Sequence, residues 1–207
     1  MRKFIILFTV LLVSSCSSKK NITSIGFQQE IEHHREEYKA DFVKDERSPL
    51  KNEDLSNLQF FEPNEDYACQ CAFQPTPDSK PFEMATYSGM TKPYKKYGIA
   101  TCMINNTSTE ISVYQNLRLL SVPGYKDYLF VPFKDFTNSE STYGGGRYIN
   151  MKTSDVVDDK VTIDFNKCYN PWCAYSDGYN CPIPPLENHL KIEILAGEKQ
   201  WTGKKKK

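Results

Sequence analysis

Residues 161–190 read VTIDFNKCYNPWCAYSDGYNCPIPPLENHL, and the first six of them decide the fold class. Val161, Ile163 and Phe165 are apolar, whereas Thr162, Asp164 and Asn166 between them are polar. A period of two is that of a strand whose side chains point alternately into a core and away from it. Asp and Asn are poor strand formers, so a polar face carrying both needs hydrogen-bond partners or a ligand. Beyond this strand the sequence predicts a Pro-bracketed, cysteine-bearing loop over residues 168–185, leading through Glu187 and Asn188 into a closing strand over Leu190–Ala196. In that strand Leu190, Ile192 and Ile194 face inward and Lys191 and Glu193 outward.

Working back from there, six further runs rich in β-branched and aromatic residues are separated by turn residues: Tyr67–Phe73, Phe82–Ser88, Tyr97–Ile104, Glu110–Asn116, Asp127–Phe133 and Arg147–Met151. Short strands at such spacing predict a mainly β protein, an antiparallel sandwich or barrel. Asn105-Asn106-Thr107-Ser108 reads as a hairpin turn and Val122-Pro123-Gly124-Tyr125 as another turn. Helical spacing occurs once, over Ser24–Lys44, where Phe27, Ile31, Tyr38 and Phe42 form the apolar stripe of one N-terminal amphipathic helix. His33 and His34 lie on adjacent faces of it, so only one can point at the core, and no second ligand follows at a helical interval. Asp45–Pro63 is a linker that Leu58, Phe60 and Phe61 anchor to the core. With no internal repeat or low-complexity linker, residues 24–203 form a single domain, followed by a solvated basic tail over Lys204–Lys207.

Basic and acidic residues balance at 26 each, so the chain lacks the electrostatic footprint of a nucleic-acid binder. Its first residues read as a leader and not as part of the fold. Arg2 and Lys3 precede an apolar run from Phe4 to Val13, too short for a permanent membrane span but suited to a signal peptide over residues 1–15. Val13-Ser14-Ser15-Cys16 resembles a bacterial lipobox, with Val where Leu is commoner. That resemblance implies cleavage before Cys16, a lipid on its sulfur and acylation, for instance by palmitate, of its new amino group. Such an anchor makes the membrane a partner without a spanning segment. A plain cleaved signal peptide is the alternative. Residues 16–23 then form a polar tether, and Ser17 after the cysteine, with the non-acidic Ser18 to Asn21, predicts the periplasmic face of the outer membrane rather than the cell surface.

The motifs of the C-terminal half, taken in order, run Thr142-Tyr143-Gly144-Gly145-Gly146-Arg147-Tyr148, Ile163-Asp164-Phe165-Asn166, Tyr169-Asn170-Pro171, Cys173-Ala174-Tyr175, Cys181-Pro182-Ile183-Pro184-Pro185, Glu187-Asn188 and Ala196-Gly197-Glu198-Lys199. This succession resembles the DUF1684 family, and Ser48-Pro49-Leu50 and the stretch from Phe82 to Tyr97 fit it as well. The resemblance implies no activity, so it leaves function open. Cys168 departs from the small apolar residue usual in the family at that position.

Candidate site residues follow from the chemistry of the same motifs. Gly144, Gly145 and Gly146 suit a tight turn beside a cleft, or a ligand's close approach to the main chain. Arg147 either pairs with Asp164 or Glu187, or grips an anionic ligand. Asp164 and Glu187 are the candidate acid and base of a hydrolase acting on an envelope glycan or ester, which requires the two carboxyls to share a cleft. The plainer role for Asp164 and Asn166 is to tie down the next loop. A binding cleft would draw on Gly145, Gly146, Arg147, Asp164, Asn166, Asn170, Glu187 and Asn188. Aromatic residues Tyr169, Trp172, Tyr175 and Tyr179 beside them suit a sugar or another amphipathic small molecule, or simply cap the barrel. Tyr87, Tyr94, Tyr97 and Tyr114 read as scattered. No nucleophile elbow, zinc motif or phosphate loop is present, and no motif points to a metal or other cofactor. Sequence is silent on oligomeric state.

Besides Cys16, six cysteines remain: Cys69, Cys71, Cys102, Cys168, Cys173 and Cys181. The leading arrangement is one disulfide, Cys173–Cys181, with buried free thiols elsewhere; two or three disulfides and a thiolate metal site are the alternatives. Cys69 and Cys71, two apart on a strand, are badly placed to bond to each other.

Overall fold

The computed structural model describes residues 17–207, with side chains from Ile25 onward. The leader and the lipidation site at Cys16 lie outside the described residues. The helix α1 runs over Ser17–Lys44, so the expected tether backbone continues the helix. Seven strands follow: β1 Ala68–Pro75, β2 Phe82–Ala85, β3 Thr91–Ile104, β4 Thr107–Asn116, β5 Tyr128–Phe133, β6 Arg147–Lys152 and β7 Lys160–Asp164. All pair antiparallel in the order β6-β5-β4-β3-β1-β7, with β2 beside the first half of β3. The expected mainly β class with one N-terminal helix holds, and the sheet is a curled half-barrel. The β3–β4 hairpin turns at Asn105 and Asn106, both at positive φ (47° and 62°), conformations that Asn tolerates.

The two faces of the sheet carry different chemistry. Odd-numbered residues of β4, β5 and β6 (Ile111, Val113, Leu129, Val131, Ile149, Met151) join Cys71, Phe73, Val161 and Ile163 in the main aliphatic core. Even-numbered residues of the same strands (Tyr114, Phe130, Tyr148), with Tyr94 of β3, form a second, aromatic cluster. In β3 the parity changes because a β-bulge between Lys96 and Gly98 inserts one residue: Tyr94 belongs to the aromatic face, whereas Ala100, Cys102 and Ile104 belong to the core. Gly98 is required at the bulge, since a Cβ there would run into the Phe73 ring and lie 2.8 Å from the Gln74 carbonyl.

Leu190–Ala196 is not a strand. Leu190, Ile194 and Ala196 are buried against the core as alternation predicts, yet the segment joins no ladder. Its first part lies beside residues 134–136, with Leu190 N–H donating to Lys134 O at 2.8 Å and Phe136 N–H to Ile192 O at 2.9 Å; beyond it the Arg147 guanidinium takes the carbonyls, Nη2 donating to Ile194 O at 2.9 Å, and Nη1 to Ala196 O at 2.6 Å and to Glu198 O at 3.3 Å. Helix α1 packs on the far side of this strip through Phe42, with Tyr38 beside it, against Tyr175, Leu50, Leu58 and Trp201. Arg35 of α1 stacks over Phe60 and donates to Phe61 O at 2.7 Å. No helix of the described residues is long and apolar enough to cross a membrane.

Candidate ligand groove

The sequence-expected site residues fall into four groups, and each holds parts of the fold together. Arg147, with no exposed surface, pairs not with Asp164 or Glu187 but with the equally buried Asp135, Nη2 to Oδ2 at 2.8 Å. Asp135 Oδ1 also accepts from the Thr137 N–H at 2.9 Å and its hydroxyl at 2.5 Å. The turn before Arg147 makes this possible. Gly146 has φ +89°, and a Cβ there would lie 2.5 Å from the Phe133 carbonyl; the preceding Gly145 carbonyl accepts from the Tyr87 hydroxyl at 2.9 Å.

In the second group Asp164 caps the turn that ends β7, accepting from the main-chain and side-chain N–H groups of Asn166 at 3.0 and 2.9 Å. Asn166 in turn clasps the main chain of Asn64. In the third, Asn188 donates to Ser112 O and Pro132 O, both at 2.8 Å, and accepts from Ser112 N–H. Beside it Glu187 accepts from the Tyr114 hydroxyl at 2.8 Å and lies 3.4 Å from Lys96 Nζ. Burial raises the Glu187 pKa, but its own main-chain N–H, the Tyr114 hydroxyl and the Lys96 ammonium outweigh it and hold the carboxyl low. The cavity that Glu187 lines, with Thr76, Lys96 and Pro185, does not include Asp164.

Asn170 leads to a residue whose role the sequence reading missed. Its main-chain and side-chain N–H groups each donate at 2.9 Å to Glu198, a carboxylate with no exposed surface. The hydroxyls of Tyr175 (2.6 Å) and Tyr38 (2.9 Å) complete a set of four donors. Burial nonetheless dominates and pushes the Glu198 pKa up to about 7. The network joins α1, through Tyr38, to the 168–175 loop and to the strip that Arg147 holds.

Two disulfides link the described cysteines, Cys173–Cys181 and Cys71–Cys102, while Cys69 and Cys168 are free and buried. The arrangement is therefore the two-disulfide alternative. The register, which sets Ala72 against Thr101, makes Cys71 and Cys102 cross-strand neighbours on the core face, which a sequence without register does not reveal. Burial pushes the Cys168 thiol up to about 12 and the Cys69 thiol up to about 11, so both stay protonated.

An open groove lies elsewhere, on the aromatic face. One cavity of about 600 Å³ runs over Tyr94, Tyr128, Phe130, Tyr148, Tyr169 and Trp172. A second, of about 730 Å³, lies along α1 at His34, Tyr38 and Asp41. The two share Tyr125, Asn150, Tyr169 and Trp172, and so form one groove between the helix and the sheet. Tyr169 owes its place to a pair of main-chain hydrogen bonds with Tyr148, at 2.9 and 3.0 Å, that cover the exposed edge of β6. At the midpoint, the Asn150 carbonyl oxygen accepts from the hydroxyls of Tyr128 (2.8 Å) and Tyr169 (2.6 Å). Its amide nitrogen has no partner among the described residues. Burial raises the pKa of Tyr128, Tyr148 and Tyr169, so these phenols remain protonated. His34 at the helix end has its pKa lowered by burial and then by Lys167, while His33 lies on the surface 3.5 Å from Glu37.

Of the expected aromatic residues, Tyr169, Trp172 and Tyr179 line the groove and Tyr175 lies buried behind it. The tyrosines that read as scattered include Tyr94, one of its walls. The signal for this face was the period of two in Tyr114/Asn116, Tyr128/Phe130 and Tyr148/Asn150, set against aliphatic neighbours.

Fold and groove define a class: an antiparallel half-barrel with one docked helix and a tyrosine-lined groove on the sheet face opposite the core. The chain belongs to the family described as "Protein of unknown function (DUF1684)", which it matches over residues 53–199. It is similar in structure to the uncharacterized protein from gene locus rrnAC0354 of Haloarcula marismortui, solved in solution by NMR, with 27% sequence identity and a TM-score of 0.66 over 86% of this chain and 97% of that one. None of the curated proteins matches the chain.

Proposed function

We propose that the protein is a non-catalytic binding module that holds an amphipathic small molecule or envelope component, a saccharide by class, in the groove between α1 and the aromatic face. The observation that carries this reading is the set of partly exposed rings, Tyr128, Tyr169, Trp172 and Tyr179, backed by buried ones and gathered around the free amide nitrogen of Asn150. Ring faces take the apolar face of a pyranose, and an amide among them fixes its hydroxyls. Phenols already committed to Asn150 and to the Pro182 carbonyl present ring surface and little competing polarity. A hydrolase using Asp164 and Glu187 would need both carboxyls in one cleft, so the geometry favours binding over turnover.

As part of the same proposal, a lipid on Cys16 holds the protein at the periplasmic face of the outer membrane. Two disulfides support an exported protein, since such bonds persist in oxidising compartments. Replacing Cys16 by Ser should release the protein from the membrane fraction; continued retention would remove the anchor from the proposal.

The binding reading is tested by following the Trp172 indole N–H and the Asn150 side-chain amide by NMR while soluble neutral and acidic oligosaccharides are added. Both signals should move, and Trp172→Ala should weaken binding by about tenfold, the loss of about 1.4 kcal/mol expected for one stacking ring. Shifts confined to other regions, or unchanged affinity in Trp172→Ala, would sink the reading.

A further inference from the structure

The groove is electrically lopsided, and its sheet end carries an arrangement that folding alone does not favour. Tyr94 pairs with Asn116 across β3 and β4, and the Leu117 N–H continues the ladder to Pro93 O at 3.0 Å. One step further out β4 has ended, and Arg118 starts the turn that follows, lining the same cavity as Lys92. Like charges held close together repel. Lys92 is half-buried, and burial, then the Arg118 guanidinium, lower its pKa. Neither cation has a carboxylate partner among the described residues. Both line the groove, and no acidic residue lines that cavity with them. At the helix end Glu37, Asp41 and Asp45 face the second cavity together with Lys44 and Lys167, so that positive charge there is offset.

We infer that the ligand of the groove is an acidic saccharide whose anionic group, a carboxylate or a phosphate, sits between Lys92 and Arg118 while its rings lie on Tyr128, Tyr169 and Trp172. The inference rests on the groove being a binding site. Two unpaired cations facing one cavity supply positive potential and five or more N–H donors, and a bound anion relieves the repulsion between them. The polar groups spaced along the floor, Asn116 and Asn150, suit the hydroxyls of a sugar better than an acyl chain, which would leave those amides unpaired. Only the sheet end holds cations with no acidic residue beside them, so the ligand enters with its charged group toward β3 and β4 and a neutral part toward α1.

The test uses a uronic-acid trisaccharide, the matching neutral hexose trisaccharide and the neutral trisaccharide bearing one phosphate, each titrated into the full chain with the Trp172 indole as reporter. At least one acidic sugar should bind about tenfold more tightly than the neutral one, weaken as salt is raised, and lose that advantage in a Lys92→Gln/Arg118→Gln variant. Whichever acidic sugar binds more tightly identifies the anion as carboxylate or phosphate. Circular dichroism checks that the variant folds, as expected for two side chains at the edge of the cluster. Equal affinity for neutral and acidic sugars, or an acidic preference that survives in the variant, overturns the inference and leaves the groove reading intact. If no sugar shifts Trp172, both fall.

Discussion

Removing the Glu198 carboxyl should change how the stability of the protein depends on pH. Glu198 has no exposed surface, and burial raises its pKa from the ordinary 4.5 to about 7 in the folded protein. Between these values the folded state binds more protons than the unfolded one, so stability falls as pH rises. The contribution is fully present below about pH 4.5 and is lost as pH passes through about 7. At 1.36 kcal/mol per pKa unit, the complete loss is about 3.4 kcal/mol, and about 2.5 kcal/mol of it falls between pH 5 and pH 8. Glu198→Gln removes the titration. Its amide nitrogen must face some of the four donors that now converge on the carboxylate, so the variant carries an additional cost of about 1–3 kcal/mol that does not vary with pH. Urea unfolding of both proteins across this range isolates the effect. His34, lowered by burial, works in the opposite direction but is common to both and cancels in the difference. The wild-type curve should descend relative to the variant by about 2.5 kcal/mol from pH 5 to pH 8. Parallel curves would refute the assignment of a raised, buried carboxyl.

Asp135→Asn should cost about 3–5 kcal/mol in the same unfolding assay, because it leaves the Arg147 guanidinium buried without its counter-charge; a loss below about 1 kcal/mol would mean that the three main-chain carbonyls suffice. Gly146→Ala should destabilise by about 2 kcal/mol or more, since it adds a Cβ at φ +89° against the Phe133 carbonyl, and an unchanged midpoint would show that the turn relaxes. Replacing Cys173 and Cys181 together by Ser opens a loop of 8 residues and should cost about 2.5 kcal/mol, whereas opening Cys71–Cys102, 31 residues apart, should cost about 4 kcal/mol. The reverse ranking would point to native-state strain rather than chain entropy.

What sequence could reveal was set by the range of each interaction. Local signals sufficed for α1, for the Asn105-Asn106 hairpin and for the alternation of Val161, Ile163 and Phe165, because each depends on neighbours a few residues away. Register was beyond reach, and with it the Cys71–Cys102 bond; so was the turn after β4 that brings Arg118 to the same cavity as Lys92. The bulge between Lys96 and Gly98 also hid the aromatic face, since it reverses parity along β3 and sets the even-numbered Tyr94 and Ala100 on opposite faces. Leu190–Ala196 misled for a different reason: its side chains alternate as in a strand, but the carbonyls of Ile194 and Ala196 face a guanidinium instead of a neighbouring main chain. Nothing near Arg147 in sequence marks Asp135 as its partner, because the pair forms only when β5 and β6 bring Phe133 beside Arg147.

The same contacts change what the family motifs mean for the groove. Arg147 fixes the carbonyls of residues 194, 196 and 198; Glu198, at the end of that strip, fixes Asn170; and Asn170 sits between Tyr169 and Trp172, two walls of the groove. From the other side Glu198 holds Tyr38 of α1, whose ring lies 5.8 Å from that of Tyr169. Buried charged residues therefore act at a distance from any ligand by fixing the aromatic residues that would touch it. A binding surface built of large rings gains affinity when those rings are already ordered, because less freedom is lost on association. Arg147, Glu198 and Asn170 thus order the walls of the groove, while the residues proposed to meet a ligand are its exposed rings, its amides and the cations Lys92 and Arg118.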